Sequence, residues 1–520
     1  MEDRWGSPFF HFLKKFGKIV FQLIISNVKG EKYMEEILPN FLKNRASLTP
    51  NKEAIVFNKN RLTFQELYEK AYYTAGVLAA EGIKKGDYVA FLVKNDLRTV
   101  ITLLSLHLLG ARAVLLNNRL TANELLYQIK DSNSLFLIAD DDFQLTAEDV
   151  LRNSSSLKVI FKKELDTKPF QKPVVQETVH LNDTCTIMYT SGTTGFPKGV
   201  IQTYGNHWWS AVGNVLNAGL TDKDVWLCTV PIFHISGYSI LMRSLMYGMK
   251  VILHESFDEK RLLTDLVQEK ITIMSVVTAM LQRIEKAAKG AFPDYFRYML
   301  LGGGPASIDL ISSCMNKGIP VYYSYGMTET SSQIVTLPPK DAARKIGSAG
   351  KPLFPAQLKI LDEKGKELGA NEAGEIVVFG PNVSKGYLNK GPHSVDGWFH
   401  TGDIGYKDSE GFLYVLDRRS DLIISGGENI YPAEIESVLS SITGIKEAGV
   451  VGMDDRKWGQ VPIAFVVCEE GTEIPAAQIL EVCKRKLASY KLPKEIRFIE
   501  ALPRNASKKI VRRTLREWIK

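Results

Sequence analysis

Apolar residues come in short unbroken runs along much of this chain, with glycines and polar residues between them. Residues 88–93 form one such run behind Gly86-Asp87, with the length of a strand buried on both faces. Residues 99–109 form a longer run that ends at Gly110 and reads as a buried helix, and residues 113–116 return to strand. Strand, helix and strand in that order predict a parallel pair joined by a right-handed crossover. The alternation recurs, with predicted strands at 187–189, 225–230, 251–254, 273–277, 298–301 and 321–323. Upstream, residues 34–45 read as a helix and 50–57 lead into a hairpin. Thr63, with Glu66 three residues later, forms a capping signature.

The pattern changes after Asp403. Residues 405–416 read as strand and turn, followed by the charged segment Asp417-Arg418-Arg419-Ser420-Asp421. Beyond it come a helix from Pro432, strands at 448–452 and 464–468, and a helix at 476–488, as in a small α+β unit. At 520 residues the chain is too long for one ordinary core. The expected division is a large domain at 34–417 and a smaller one at 418–520.

Composition narrows the chemistry. Hydrophobic residues make up 45% and charged residues 24%, the balance of a soluble globular protein. The net charge of +7 is spread without a long Lys/Arg run, which argues against nucleic acid and fits a small polyanionic ligand. Cys185, Cys228, Cys314, Cys468 and Cys483 form no CxxC pair and are odd in number, so a reducing cytoplasm is expected rather than a disulfide framework. The histidines show no metal-ligand spacing, so no structural zinc is expected. Residues 1–33 hold a run at 19–25 too short to span a bilayer, and no stable membrane insertion is expected. The reading preferred here starts the native protein at Met34, with 1–33 as translated upstream sequence. Homo-oligomerisation is left open.

The strongest chemical signal is Tyr189-Thr190-Ser191-Gly192-Thr193-Thr194-Gly195-Phe196-Pro197-Lys198-Gly199. The segment leaves a predicted strand. Its glycines let backbone N–H groups crowd around an anion, its hydroxyls add donors, and Lys198 adds charge. It matches neither GxxxxGK[ST] nor GxGxxG. Further along stand Gly302-Gly303-Gly304-Pro305, Tyr325-Gly326-Met327-Thr328-Glu329-Thr330, Thr401-Gly402-Asp403, Asp417-Arg418-Arg419-Ser420-Asp421 and Gly426-Gly427-Glu428-Asn429.

From Met34 to the C-terminus, this ordered set resembles the adenylate-forming superfamily of acyl-CoA synthetases, luciferases and peptide-synthetase adenylation domains. The resemblance implies an α/β fold: a large N-terminal adenylate-forming domain of layered sheets and helices, with a small mobile α+β C-terminal domain. It implies ATP, Mg2+ and coenzyme A, with a small-molecule carboxylic acid as substrate. Thr190 through Thr194 and Lys198 would hold phosphates. Gly302 to Pro305 and Gly326 would border the adenine, with Tyr325 stacking on it. Thr328 would bond the α-phosphate and Glu329 would hold the metal, whose hardness suits carboxylate oxygen. Asp403 and Arg418 would hold the ribose. Lys509 would be the catalytic cation that lowers repulsion between two reacting anions. Relatives carry Gly before this lysine, where Lys508 stands here; Lys509 is chosen by its spacing after Pro503-Arg504 and by the Ile510 that follows. Ser420 matches the family's hinge, and Gly426 and Gly427 would enter the coenzyme A channel after the C-terminal domain rotates.

Pro231-Ile232-Phe233-His234-Ile235-Ser236-Gly237, with Gly205-Asn206-His207, resembles the o-succinylbenzoate–CoA ligases of menaquinone biosynthesis. That substrate carries two carboxylates, one activated and one a spectator. His234 and Ser236 would line its aromatic pocket, and Arg243 would pair with the spectator. Val277, Thr278, Ser331 and Ser332 would shape the same pocket. The alternatives are a ligase for another aryl or fatty acid, an enzyme that loads a carrier protein, and a non-catalytic homologue.

Overall fold

In the computed structural model the apolar run at Tyr88–Leu92 is a central strand with both faces covered. Val89 and Phe91 point into one core, Ala90 and Leu92 into another, as the two-residue period of a strand requires. The described residues are 36–519, other than 155, 191–196, 304–307, 393, 418–421 and 505–509. The reading of residues 1–33 therefore lies outside them, as do Ser191, Gly192, Thr193, Thr194, Gly304, Pro305, Arg418, Ser420 and Lys509.

Tyr88–Leu92 belongs to a six-stranded sheet. Arg112–Leu115, Phe136–Ala139, Lys158–Phe161 and Thr184–Thr190 run parallel in it, and Lys198–Thr203 closes one edge antiparallel. A nine-stranded sheet holds Val225–Cys228, Lys250–Leu253, Ile273–Val277, Tyr298–Gly302 and Val321–Met327 in parallel register. The helices Phe64–Ala80 and Leu97–Leu109 contribute to one hydrophobic core with facing strands of both sheets. Each large apolar side chain buried there contributes about 1.5–3 kcal/mol.

Local signals place these helices. Thr63 accepts a hydrogen bond from the Glu66 N–H at 3.2 Å, and the Glu66 carboxylate accepts from the Thr63 N–H at 2.8 Å. Asp96 caps Leu97–Leu109, and Gly110 ends it at φ 71°. The helix predicted at 34–45 is corrected. Ile37–Pro39 is a strand paired antiparallel with Thr178–His180, and the helix is Phe41–Leu48, capped by Asn40. Pro39 explains the difference, because its ring disfavours helical backbone at Leu38 and it has no N–H to donate.

A third sheet is built on Gln357–Leu361, Gly374–Phe379, Trp398–Lys407 and Leu413–Asp417. The last unit has its own sheet, in which Gly459–Cys468 pairs with Ile445–Asp455, Ile423–Ser425 and Glu495–Phe498. The helices Pro432–Ser440 and Ala476–Lys486 cover this sheet around Ile435, Leu439, Ile479 and Cys483. No helix among the described residues is long and apolar enough to cross a membrane.

Candidate active site

Ends of strands from both large sheets and the loop before Pro432–Ser440 surround one cavity of about 910 Å³. Its wall collects Thr190, Gly302, Gly303, Gly326, Thr328, Glu329, Asp403, Gly426 and Gly427, which the sequence places far apart. His234, Ser236 and Arg243 line the same space. Of the other residues expected to shape the acid pocket, Val277 and Ser332 reach it, whereas Thr278 and Ser331 are not on its wall.

Thr184–Thr190 and Lys198–Thr203 pair antiparallel, with Thr190 facing Lys198. Lys198 stands beside the cavity, its ammonium 5.2 Å from the centre of the Tyr387 ring. The Tyr387 hydroxyl donates to Glu329 Oε1 at 2.8 Å. Glu329 is buried, and no cation pairs with it among the described residues. One shielded carboxylate without a counter-charge fits Mg2+, which is typically held by one or two carboxylates together with substrate phosphates. Gln202 donates to the Thr328 carbonyl at 2.8 Å, fixing the turn that presents Thr328 and Glu329. Gly326 is required there, since a Cβ would sit 2.2 Å from the Ser332 carbonyl oxygen.

Tyr325 is placed differently from the stacking role expected of it. Its ring is packed with Ile334, Val335 and Ile376, and its hydroxyl donates to Asp403 Oδ2 at 2.7 Å. Ser324 and Gly326, its neighbours on the strand, reach the cavity instead. The strand's alternation turns the tyrosine inward, where it orients Asp403 from behind.

Arg243 is only 1% exposed, on the helix Ile235–Tyr247. It donates to Gln333 Oε1 at 3.1 Å and to Ser210 Oγ at 3.5 Å, and lies 5.3 Å above the Trp226 ring. Its Nε–H is buried without a hydrogen-bond partner, and no carboxylate among the described residues reaches it. Desolvation lowers its pKa from the ordinary arginine value. A buried guanidinium without a counter-charge is costly unless an anion completes it.

Glu428 enters from the C-terminal unit. It is buried, with Oε1 2.8 Å from Arg119 Nη1 and 3.2 Å from His234 Nε2, and Asn117 donates to Oε2 at 3.0 Å. Burial alone would raise its pKa; His234, Arg119 and Asn117 outweigh burial and lower it. Next to it, Gly427 holds φ +89° with its Cα side against Val277, where a Cβ would lie 3.3 Å from a methyl. Glu428 stands in a motif quoted from the sequence, but nothing there pointed to His234 and Arg119 as its partners. Asn117, Arg119 and Tyr387 carried no signal at all, because long-range packing brings them in.

Residues 42–388 match the AMP-binding enzyme family, and residues 434–509 match the AMP-binding enzyme C-terminal domain. The chain belongs to the AMP-binding enzyme family. Among its members, the chain is 51% identical over 487 residues to the 2-succinylbenzoate–CoA ligase of Geobacillus kaustophilus, covering 93% of this chain and 98% of that one. It is 50% identical over 491 residues to the ligase of that name from Bacillus anthracis, covering 94% and 99%. Two solved structures of o-succinylbenzoate CoA synthetase from Bacillus subtilis match at 45% identity and 92% of this chain. A double mutant bound with its product analogue, of which 98% is covered, superposes at a TM-score of 0.88. The complex with ATP and magnesium ion, covered over 100%, superposes at 0.73. At equal identity and equal coverage of this chain, the arrangement seen here is nearer to that of the product-analogue complex.

Proposed function

We propose that this AMP-binding enzyme is an ATP-dependent acid–thiol ligase that joins o-succinylbenzoate, the menaquinone precursor acid, to coenzyme A through an acyl-adenylate. The observation that carries the acid assignment is Arg243: a buried cation on the cavity wall that no carboxylate completes among the described residues. A dicarboxylic substrate supplies that anion with its spectator group while its other carboxylate reacts. A monocarboxylic fatty acid supplies none. The relatives and solved structures described above support the same acid.

In the first half-reaction, the activated carboxylate attacks the α-phosphorus of ATP and pyrophosphate leaves. Thr190, residues 191–194 and Lys198 would hold phosphates, and Thr328 would donate to the α-phosphate. Mg2+ held at Glu329 would neutralise charge on the phosphate oxygens. Asp403, set by the Tyr325 hydroxyl, would accept from the ribose, and Arg418 would donate to it. Lys509 would stabilise the charge that develops between the two anions.

In the second half-reaction, the coenzyme A sulfur attacks the acyl carbon and AMP leaves. Residues 418–520 would first rotate about Ser420, carrying Lys509 away and bringing Gly426 and Gly427 to the cavity. The seated Glu428, paired with Arg119 and His234, fits that second arrangement.

The test is thioester formation with ATP, Mg2+ and coenzyme A on three acids. o-Succinylbenzoate should exceed benzoate and octanoate in kcat/KM by at least about a hundredfold, since buried polar groups left unpaired by the wrong substrate discriminate strongly. Equal turnover of benzoate or octanoate would remove the acid assignment. Acyl-adenylate without thioester would remove the ligase reading.

A further inference from the structure

A second set of charges, whose Lys491 also borders the cavity, joins the two parts of the molecule. Lys491 Nζ lies 2.7 Å from Glu124 Oε1 and 2.7 Å from Glu434 Oε1, with the three side chains only 4, 9 and 7% exposed. Lys491 and Glu434 belong to the C-terminal unit. Glu124 lies on the helix Ala122–Asp131 of the N-terminal part.

Apolar contacts flank this set. Ala488 is buried in the same core as Ala90, Leu116 and Leu137 of the large domain, and Tyr490 packs against that core and against the C-terminal core together. The Tyr490 hydroxyl lies 3.4 Å from Asn117 Nδ2, and Asn117 in turn donates to Glu428. The ion pair and the Glu428 contacts therefore share one interface.

The bonding of Glu124 bears on what happens when this interface opens. Its Oε2 accepts from the Thr121 N–H at 2.8 Å and from the Thr121 hydroxyl at 2.7 Å, closing a capping box, while Oε1 alone serves Lys491. If the C-terminal unit leaves, Glu124 keeps its capping partner and Lys491 keeps Glu434. No charge is stranded on either side, so a contact strong enough to seat the unit is also one it can release.

We propose that Glu124 and Lys491 are positioning residues for the thioester half-reaction, their ion pair holding the C-terminal unit where Gly427 and Glu428 meet the cavity. This rests on the ligase reading above. Neither residue touches the reacting atoms; both act through the placement of Gly426–Asn429. Adenylation, which uses the other placement of the unit, does not depend on the pair.

The experiment is single-turnover measurement of each half-reaction on the full-length chain: acyl-adenylate formation from o-succinylbenzoate and ATP, then transfer from preformed acyl-adenylate to coenzyme A. In Lys491→Met and in Glu124→Gln, transfer should fall by at least about tenfold while adenylate formation stays within about twofold. The double variant should be little slower than either single one, because both remove the same contact. Lys491→Arg should recover most of the transfer rate. Retained adenylate formation also reports that each variant is folded, and Glu124→Gln serves if Lys491→Met is not. Unchanged transfer, equal loss in both half-reactions, or fully additive effects in the double variant would overturn the proposal. A parental protein that forms adenylate but no thioester would remove the ligase reading and this inference with it. Normal thioester formation with unaffected variants would remove this inference alone.

Discussion

His234 and Glu428, one from each part of the molecule, meet at 3.2 Å across the cavity. Glu428 has no such contact unless the C-terminal unit is seated. Its lowered pKa means that the pairing is fully present above the ordinary carboxylate range and is lost only as pH falls through the lower, folded-state value. Between pH 6 and 8 this carboxylate therefore stays charged. Glu428→Gln should cost about 1.5–3 kcal/mol in the transfer step, roughly a 10- to 100-fold loss, by removing a charged hydrogen-bond partner from Arg119 and His234. Adenylate formation should be unchanged. Single-turnover kinetics of the separated half-reactions check both.

Gly427→Ala tests the same wall by shape. The substitution places a Cβ 3.3 Å from a Val277 methyl at a φ of +89°, a backbone state that side chains disfavour. A penalty of about 1–2 kcal/mol is expected in the transfer step, about a tenfold loss. The KM for ATP, measured by pyrophosphate release, should not move.

Arg243→Met separates a substrate contact from a structural one. Loss of a buried charge partner should raise the apparent KM for o-succinylbenzoate by about 30-fold or more and leave that for ATP unchanged. Because Arg243 has no carboxylate partner among the described residues, an apolar replacement should leave the thermal midpoint unchanged or raise it. A fall in the midpoint with equal KM changes for both substrates would instead mark Arg243 as structural. Kinetics and thermal unfolding of one preparation suffice.

Two buried imidazoles predict acid sensitivity. Burial lowers His107 to about 4 and His207 to about 3. In the unfolded chain both take up protons below about pH 6.5, whereas the folded chain does not until the lower values are reached. The unfolded state therefore binds more protons in this window, and stability falls as pH drops from about 6.5 toward 4. Each imidazole contributes up to about 1.4 kcal/mol per pH unit. Thermal unfolding at pH 7.5 and 5 should show the decline. His107→Gln, whose amide can still pair with the Tyr238 hydroxyl that lies 2.7 Å from Nε2, should reduce it.

The fold was legible wherever local pattern decides it. The strand at Tyr88–Leu92, the helix ended by Gly110 and the capping box at Thr63 all follow from apolar runs and short-range hydrogen bonds. The cavity wall was legible where a motif keeps its residues contiguous, as at Gly326-Met327-Thr328-Glu329. What escaped was relational. Tyr325 sits in a recognised motif, yet its direction depends on strand alternation and on Asp403, distant in sequence. Glu428, Arg119, Tyr387 and Lys491 acquire these partners only when elements far apart in sequence pack, and single-sequence periodicity holds no record of that packing.

One cavity, with two faces of the C-terminal unit presented to it in turn, is tested most directly with Lys509→Ala. The variant is given either o-succinylbenzoate with ATP, or preformed acyl-adenylate with coenzyme A. Adenylate formation should fall by at least about a hundredfold, the scale at which removal of one stabilising group acts on a developing charge. Transfer from supplied adenylate should proceed at the parental rate. Adenylate formation at the parental rate, or the loss of both half-reactions together in a folded protein, would contradict it.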